Sequence, residues 1–170
     1  PDAGFLYARR ACLRVAEQFV AEGGRFLQAR LRQPCDPASL VFDDGTPVEA
    51  DAVVVAAGPW MGALFPDVLG GRITATRQPV HYFGTPAGDS SFQSPALPIW
   101  LELGPRIMYG IPGDDHRGFK IADDTSGPEI DPETMDRSIT PSDIQPAREY
   151  LARRFPKLAH APWVAGEVCQ

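Results

Sequence analysis

The first stretch of the chain repeats at helical spacing. Between residues 4 and 22, Leu13, Ala16, Phe19 and Val20 recur on one helix face, and Gly23-Gly24 follow as a stop. Asp2 stands where an N-cap is expected. The period then drops towards two. "RFLQARLRQ" predicts a strand, and "SLVFDDGTPVEA" predicts a hairpin turning at Asp44-Gly45. "DAVVVAAGPW" differs from both. It is almost unbroken in apolar, small and β-branched residues, which predicts a strand over residues 53–57 buried on both faces, as in a parallel sheet under covering layers. Trp60, after Gly58-Pro59, is expected to pack at a strand-to-helix turn.

Beyond Trp60 the texture changes. "RITATRQPVHYFGTP", "SFQSPALPIWLEL", "RIMYGIP" and "GFKIAD" read as strands separated by turn residues, which predicts an antiparallel meander. "SITPSDIQPAREYLARRFP" predicts a helix. Thr140 is its N-cap, Pro141 takes its first position and Asp143 completes a capping box. Ile144, Ala147, Leu151 and Phe155 share one face, and Pro156 ends it. Residues 163–168 read as a last strand, with Cys169 just beyond. The expected class is α+β: an α/β portion over residues 1–70 and a mostly antiparallel sheet with a covering helix over residues 71–170.

Composition narrows the function. The 170 residues carry a net charge of −6, which disfavours nucleic acid as a partner. No apolar run approaches the ~20 residues of a membrane-spanning helix, so no membrane role is expected. Cys12, Cys35 and Cys169, like His81, His116 and His160, are scattered without ligand spacing. That predicts neither a metal site nor a disulfide framework and fits a reducing cytoplasm. There is no initiator Met, and an excerpt of a longer protein is expected. No G-x-G-x-x-G occurs; "VLGGR" at Gly70-Gly71 is too short to cradle a phosphate.

A few residues are candidates for chemistry. If Gly113 to His116 form the loop after "YGIP", Pro112 pairs with Arg117 and Tyr109 lies directly across from Lys120, with Ile107 and Ile111 on the same face. A lysine desolvated among apolar residues beside a tyrosine is a candidate catalytic cation; a sheet-edge lysine reaching out to water is the plainer reading. Cys169 reads from pattern alone as a small buried hydrophobe. Asp114-Asp115 and Asp123-Asp124 offer paired acids but suit turns better. Arg77 either clamps a carboxylate or is a solvated strand arginine.

Taken together these stretches resemble the sarcosine oxidase and N-methyl amino acid oxidase group of FAD-dependent oxidoreductases. "GFLYARRACLRVAEQFVAEGGRFL" is similar to the family's G-x-L segment, helix and following strand. "ADAVVVAAGPW" is similar to its second nucleotide-side strand. "RQPVHYF" resembles the strand opening its substrate domain, "YGIP" and "GFK" its Tyr-Gly-x-Pro and Gly-x-Lys strands. "IDPETMDR" resembles the segment before the capping helix, and "GEVCQ" the strand bearing the flavin-linking cysteine.

The resemblance implies a partial FAD-binding domain over residues 1–70, lacking the Gly-rich loop. It implies a substrate-binding domain over residues 71–170, truncated at its C-terminal end. It implies FAD as cofactor and a small-molecule secondary amine or N-methyl amino acid as substrate, oxidised by hydride transfer with oxygen as acceptor. Lys120 and Tyr109 are then the catalytic candidates. Cys169 would form a thioether to the flavin 8-methyl carbon, while Leu31, Ala57 and Gly58 would approach the dinucleotide. The chain departs from the family at Asp124, where sarcosine oxidases carry a histidine facing the substrate. Two other readings remain at this point: a flavin dehydrogenase with another acceptor, and a non-catalytic binding domain of the same fold.

Overall fold

A computed structural model describes residues 4–36, 38–113 and 117–170. The proposed Asp2 cap and the Asp114-Asp115 pair lie outside them. The chain divides into two compact units, Leu6–Ala75 and Thr76–Gln170, the second also taking in Gly4 and Phe5.

In the first unit, α1 spans Ala8–Ala21. It starts four residues later than the periodicity suggests, with Tyr7 at the N-cap position. The stripe on α1 is real but uncovered: Leu13, Phe19 and Val20 are all about half exposed. The strand expected from "RFLQARLRQ" is reduced to one bridge, Leu31 to Phe42. The hairpin does form. The Phe42 amide donates to the Thr46 carbonyl at 2.8 Å, and Gly45 turns the chain at φ +90°. Residues 53–57 form no strand, and Val54 is 92% exposed. A parallel strand needs a ladder partner on at least one side. Among the described residues, no backbone hydrogen bond reaches 53–56. What core this unit has lies around Leu40, Leu64 and Phe65. Trp60 packs on it at a Gly58–Trp60 turn, ahead of the short helices α2 (Met61–Leu64) and α3 (Pro66–Leu69).

The second unit is a five-stranded sheet under one helix. Its strands are β1 (Gln78–Phe83), β2 (Trp100–Glu102), β3 (Met108–Ile111), β4 (Phe119–Asp123) and β5 (Trp163–Cys169). The five strands pair antiparallel throughout, in the order β2-β3-β4-β1-β5. Only β2-β3-β4 form the expected meander. β1 returns to the far side of β4 and receives β5.

Helix α4 (Pro141–Arg154) begins at Thr140 as the sequence predicts, and Asp143 closes the cap by accepting from the Thr140 N–H at 2.8 Å. Ala147, Tyr150 and Leu151 of α4 are buried against Phe83, Met108, Phe119 and Ile121 of the sheet. Trp100 is stacked with Tyr150 at 5.9 Å and with Phe119 at 6.4 Å between ring centres. One face of the sheet is thereby filled. The alternating residues point to the other.

Candidate active site

Strand alternation settles what the face turned away from α4 carries. Row by row across the sheet, Ile111, Lys120, Tyr82 and Ala165 stand beside one another. The next row holds Tyr109, Ala122, Val80 and Glu167. One pair further on, Gln78 stands beside Cys169, and Asp124 follows just past the end of β4. Val80, Tyr82 and Ala122 are buried on this face, and Tyr109 and Ala165 pack against them. A small apolar floor therefore holds two tyrosines, a lysine and a thiol.

The expected pairing of Tyr109 with Lys120 needs correction. Lys120 pairs with Ile111, and Tyr109 with Ala122. The loop is longer than four residues because its exit is fixed at Gly118. There φ is +80°, and a Cβ would collide with the Phe83 carbonyl. At the other end the Gly113 amide donates to the Phe92 carbonyl at 2.8 Å. A slip of two residues keeps every side chain on its face, so the two groups still meet, now diagonally. The Lys120 ammonium lies 5.3 Å from the centre of the Tyr109 ring, within cation–π range. Nor is Lys120 at a sheet edge: β4 has a neighbour on each side, and the side chain is half-buried. Burial pushes the Tyr109 phenol above its ordinary pKa, and negative charge at Cys169 and Asp124 adds to the shift.

Cys169 is exposed with a free thiol, not the buried packing residue its pattern suggests. β5 is an edge strand, paired on one side only. Position 169 lies on the face turned away from α4, whereas its neighbour Val168 turns to the α4 side and is buried. Beside Tyr109, a depression of about 420 Å³ is bounded by Phe5, Ile99, Trp100, Leu101 and Ile111.

The remaining candidates divide. Leu31 and Ala57 belong to the other unit and pack on its Leu40–Leu64–Phe65 cluster. Gly58 there has φ +53° and nothing within 4 Å of an added Cβ, leaving its backbone open to close approach. Arg77 is not a solvated arginine. Its guanidinium holds the Asp143 carboxylate and donates to the Ser138 carbonyl at 2.8 Å, so the carboxylate it clamps is the protein's own. Asp123 accepts from the Arg106 guanidinium at 2.7 Å and from the Thr125 N–H at 3.0 Å, as a turn residue does. Tyr82 and Gln78, neighbours of Lys120 and Cys169, were not singled out in the sequence. The alternation of "QPVHYF" puts them on one face, but only strand order shows which residues they adjoin. Among the described residues, no group of three His, Cys, Asp or Glu could hold a metal ion, and no helix is long and apolar enough to cross a membrane.

A family model described as "FAD dependent oxidoreductase" matches residues 1–168. The chain belongs to this family. It is 30% identical over 155 residues to the peroxisomal sarcosine oxidase of Mus musculus, covering 84% of this chain and 38% of that protein. To the monomeric sarcosine oxidase of Streptomyces avermitilis it is 30% identical over 113 residues, 64% of this chain and 29% of that one. The chain thus spans well under half the length of these two curated relatives. Among solved structures, fructosamine oxidase from Aspergillus fumigatus superposes with a TM-score of 0.73 at 19% identity, over 98% of this chain and 43% of that one. Iminodiacetate oxidase from Chelativorans sp. BNC1 gives 0.58 at 18% identity, over 92% and 39%. At these identities the structures establish the fold: helices with an antiparallel sheet, as in FAD-dependent oxidases.

Proposed function

We propose that the full protein is an FAD-dependent oxidase of a small secondary amine or N-methyl amino acid. In this reading the sheet face turned away from α4 is one wall of its active site, and residues 1–70 and 71–170 are parts of its FAD-binding and substrate-binding domains. FAD, when bound, supplies the acceptor for the hydride on the carbon beside the amine nitrogen and passes the electrons on to oxygen.

The residues present suit the ring end of that cofactor. Cys169 offers an accessible thiol on the same face as Lys120 and Tyr109, and this placement carries the proposal. Cys169 would hold the cofactor through a thioether to its 8-methyl carbon, made in exchange for the thiol S–H and one methyl C–H bond, with the electron pair and both protons passing to oxygen. Lys120 would offer the bound cofactor a fixed cation, which stabilises negative charge without a rearrangement of water. Tyr109, its proton held by burial, would serve as a hydrogen-bond donor to the substrate. Gly58, Ala57 and Leu31 would approach the dinucleotide. No glycine-rich loop for the pyrophosphate occurs in these 170 residues, so we expect the chain alone to hold no FAD and to be inactive. The three free thiols suit a reducing compartment, in our reading the cytoplasm.

The test is made on the full gene product. It is denatured, freed of small molecules and examined for visible absorbance. Yellow colour should stay with the protein and be lost in Cys169→Ala, while added amine should release peroxide. Colour that leaves with the small molecules would reduce Cys169 to a bystander. A protein that stays colourless with added FAD would overturn the reading, and dye reduction without peroxide would make it a dehydrogenase.

A further inference from the structure

Cys169 is the last residue of β5, an edge strand with a neighbour on one side only. Its pair with Gln78 closes the β1–β5 ladder. The pair before it is Val168 with Pro79, and Pro79 has no N–H to give either neighbour. The ladder alone holds the thiol poorly, since strands open first at such ends.

Arg137 holds this end from outside the sheet. Its Nη1 donates to the Gln170 side-chain oxygen at 2.7 Å and, more loosely, to the Val168 carbonyl at 3.5 Å. Its Nη2 donates to the Pro132 carbonyl at 3.2 Å. One guanidinium thus straddles Cys169, gripping the residue before it and the residue after it. The segment that carries Arg137 is itself fixed. The Asp131 carboxylate accepts from the Glu133 N–H at 2.9 Å, and the Asp131 carbonyl from the Met135 N–H at 3.0 Å. Asp136 accepts from the Ser138 N–H at 2.8 Å, and the Ser138 carbonyl from Arg77, which also holds Asp143 at the head of α4. Arg137 is exposed, and among the described residues its hydrogen bonds reach no other part of the sheet. β5 is already paired to β1 along its length and buries Val168 without it.

We infer that Arg137 is a positioning residue for the covalent link to the flavin, fixing the chain on both sides of Cys169 so that the thiol is aligned with the 8-methyl carbon. The inference rests on the reading that Cys169 carries FAD. In that step Cys169 gives up its S–H, the methyl group gives up one C–H, a C–S bond forms, and the electron pair and both protons pass to oxygen. Bond formation responds steeply to alignment, and a displacement of about 1 Å can slow it about a hundredfold. A reactive group therefore needs its support locked by further hydrogen bonds. The planar fork of a guanidinium spans several acceptors at once, which a lysine ammonium does not reproduce.

For the test, the full gene product is prepared free of flavin and mixed with saturating FAD in air. Covalent flavin is followed over time as fluorescence of the protein band after denaturing electrophoresis. Arg137→Gln and Arg137→Lys should both attach flavin about tenfold or more slowly than the parent. Their melting temperatures, and their non-covalent FAD affinities measured with Cys169→Ala in the background, should match those of the parent. Attachment at the parent rate in Arg137→Gln overturns the inference and leaves Cys169 as the linked residue. The parent rate in Arg137→Lys alone would make charge the cause and overturns it as well. Slow attachment with lowered melting or weakened affinity would make Arg137 a general structural residue, again overturning it. If the parent binds FAD but attaches none, the covalent reading of Cys169 falls and the inference with it. If the parent binds no FAD, the flavin reading of this protein falls and takes both down.

Discussion

The Arg77–Asp143 pair shows how one residue can join two elements. Asp143 caps α4 and also receives the Arg77 guanidinium from the residue just before β1. The Arg77 guanidinium, the first cause, and the Thr140 donors hold its carboxyl well below the usual carboxylate range. His81 lies near this pair, 3% exposed, with Nδ1 lacking a partner among the described residues. Burial lowers its pKa and the Asp143 charge raises it, with a net downward shift.

Both groups bind protons less readily folded than unfolded, so both contribute stability that is lost on acidification. His81 acts first, from about pH 6.5 downwards, and Asp143 only below the ordinary carboxylate range near pH 4. Chemical denaturation across pH should therefore show stability beginning to fall below pH 6.5, and His81→Leu should remove that upper leg while leaving the lower one. An unchanged slope in the variant would show that His81 is not the group titrating. The sequence marked Thr140 and Asp143 as a cap because capping is local. It could not show that Arg77, 66 positions away, shares the same carboxylate.

At the scale of elements, local signals worked and pairing signals did not. α4 was legible from its cap, its proline at the first position and its apolar face. The Asp44-Gly45 hairpin was legible from its turn residues. The β3–β4 register was not, because the loop length is set by Gly118 meeting the Phe83 backbone on a third strand. Face membership survived the error only because it was an even number of residues. "YGIP" itself has a packing reason that no periodicity reveals. A Cβ on Gly110 would run into the Trp100 indole, which is held in place by Tyr150, Phe119 and Phe155. Gly110→Ala should therefore cost about 1–3 kcal/mol, the usual penalty for overpacking a filled core. The check is the midpoint of chemical denaturation. A variant as stable as the parent would mean that the Trp100 stack gives way freely.

For the molecule as a whole, the two units differ in what covers them. The sheet unit buries Phe83, Phe119, Ile121, Leu151 and Leu158 almost completely. In Leu6–Ala75, by contrast, Leu6, Val15, Phe26, Leu27 and Val54 are all more than 60% exposed. The apolar run at 53–57 was read as a doubly buried strand because hydrophobicity reports what a segment needs, and only partners can supply it. That need is a prediction in itself. In hydrogen exchange on the 170-residue chain, amides of 53–56 should exchange within the fastest class and those of β1 and β4 within the slowest. In the full gene product, if 53–57 is a strand of an FAD-binding domain, its amides should become protected to the level of β1. Equal, rapid exchange of 53–56 in both proteins would remove this segment from any sheet and, with it, Ala57 and Gly58 from the proposed approach to the dinucleotide.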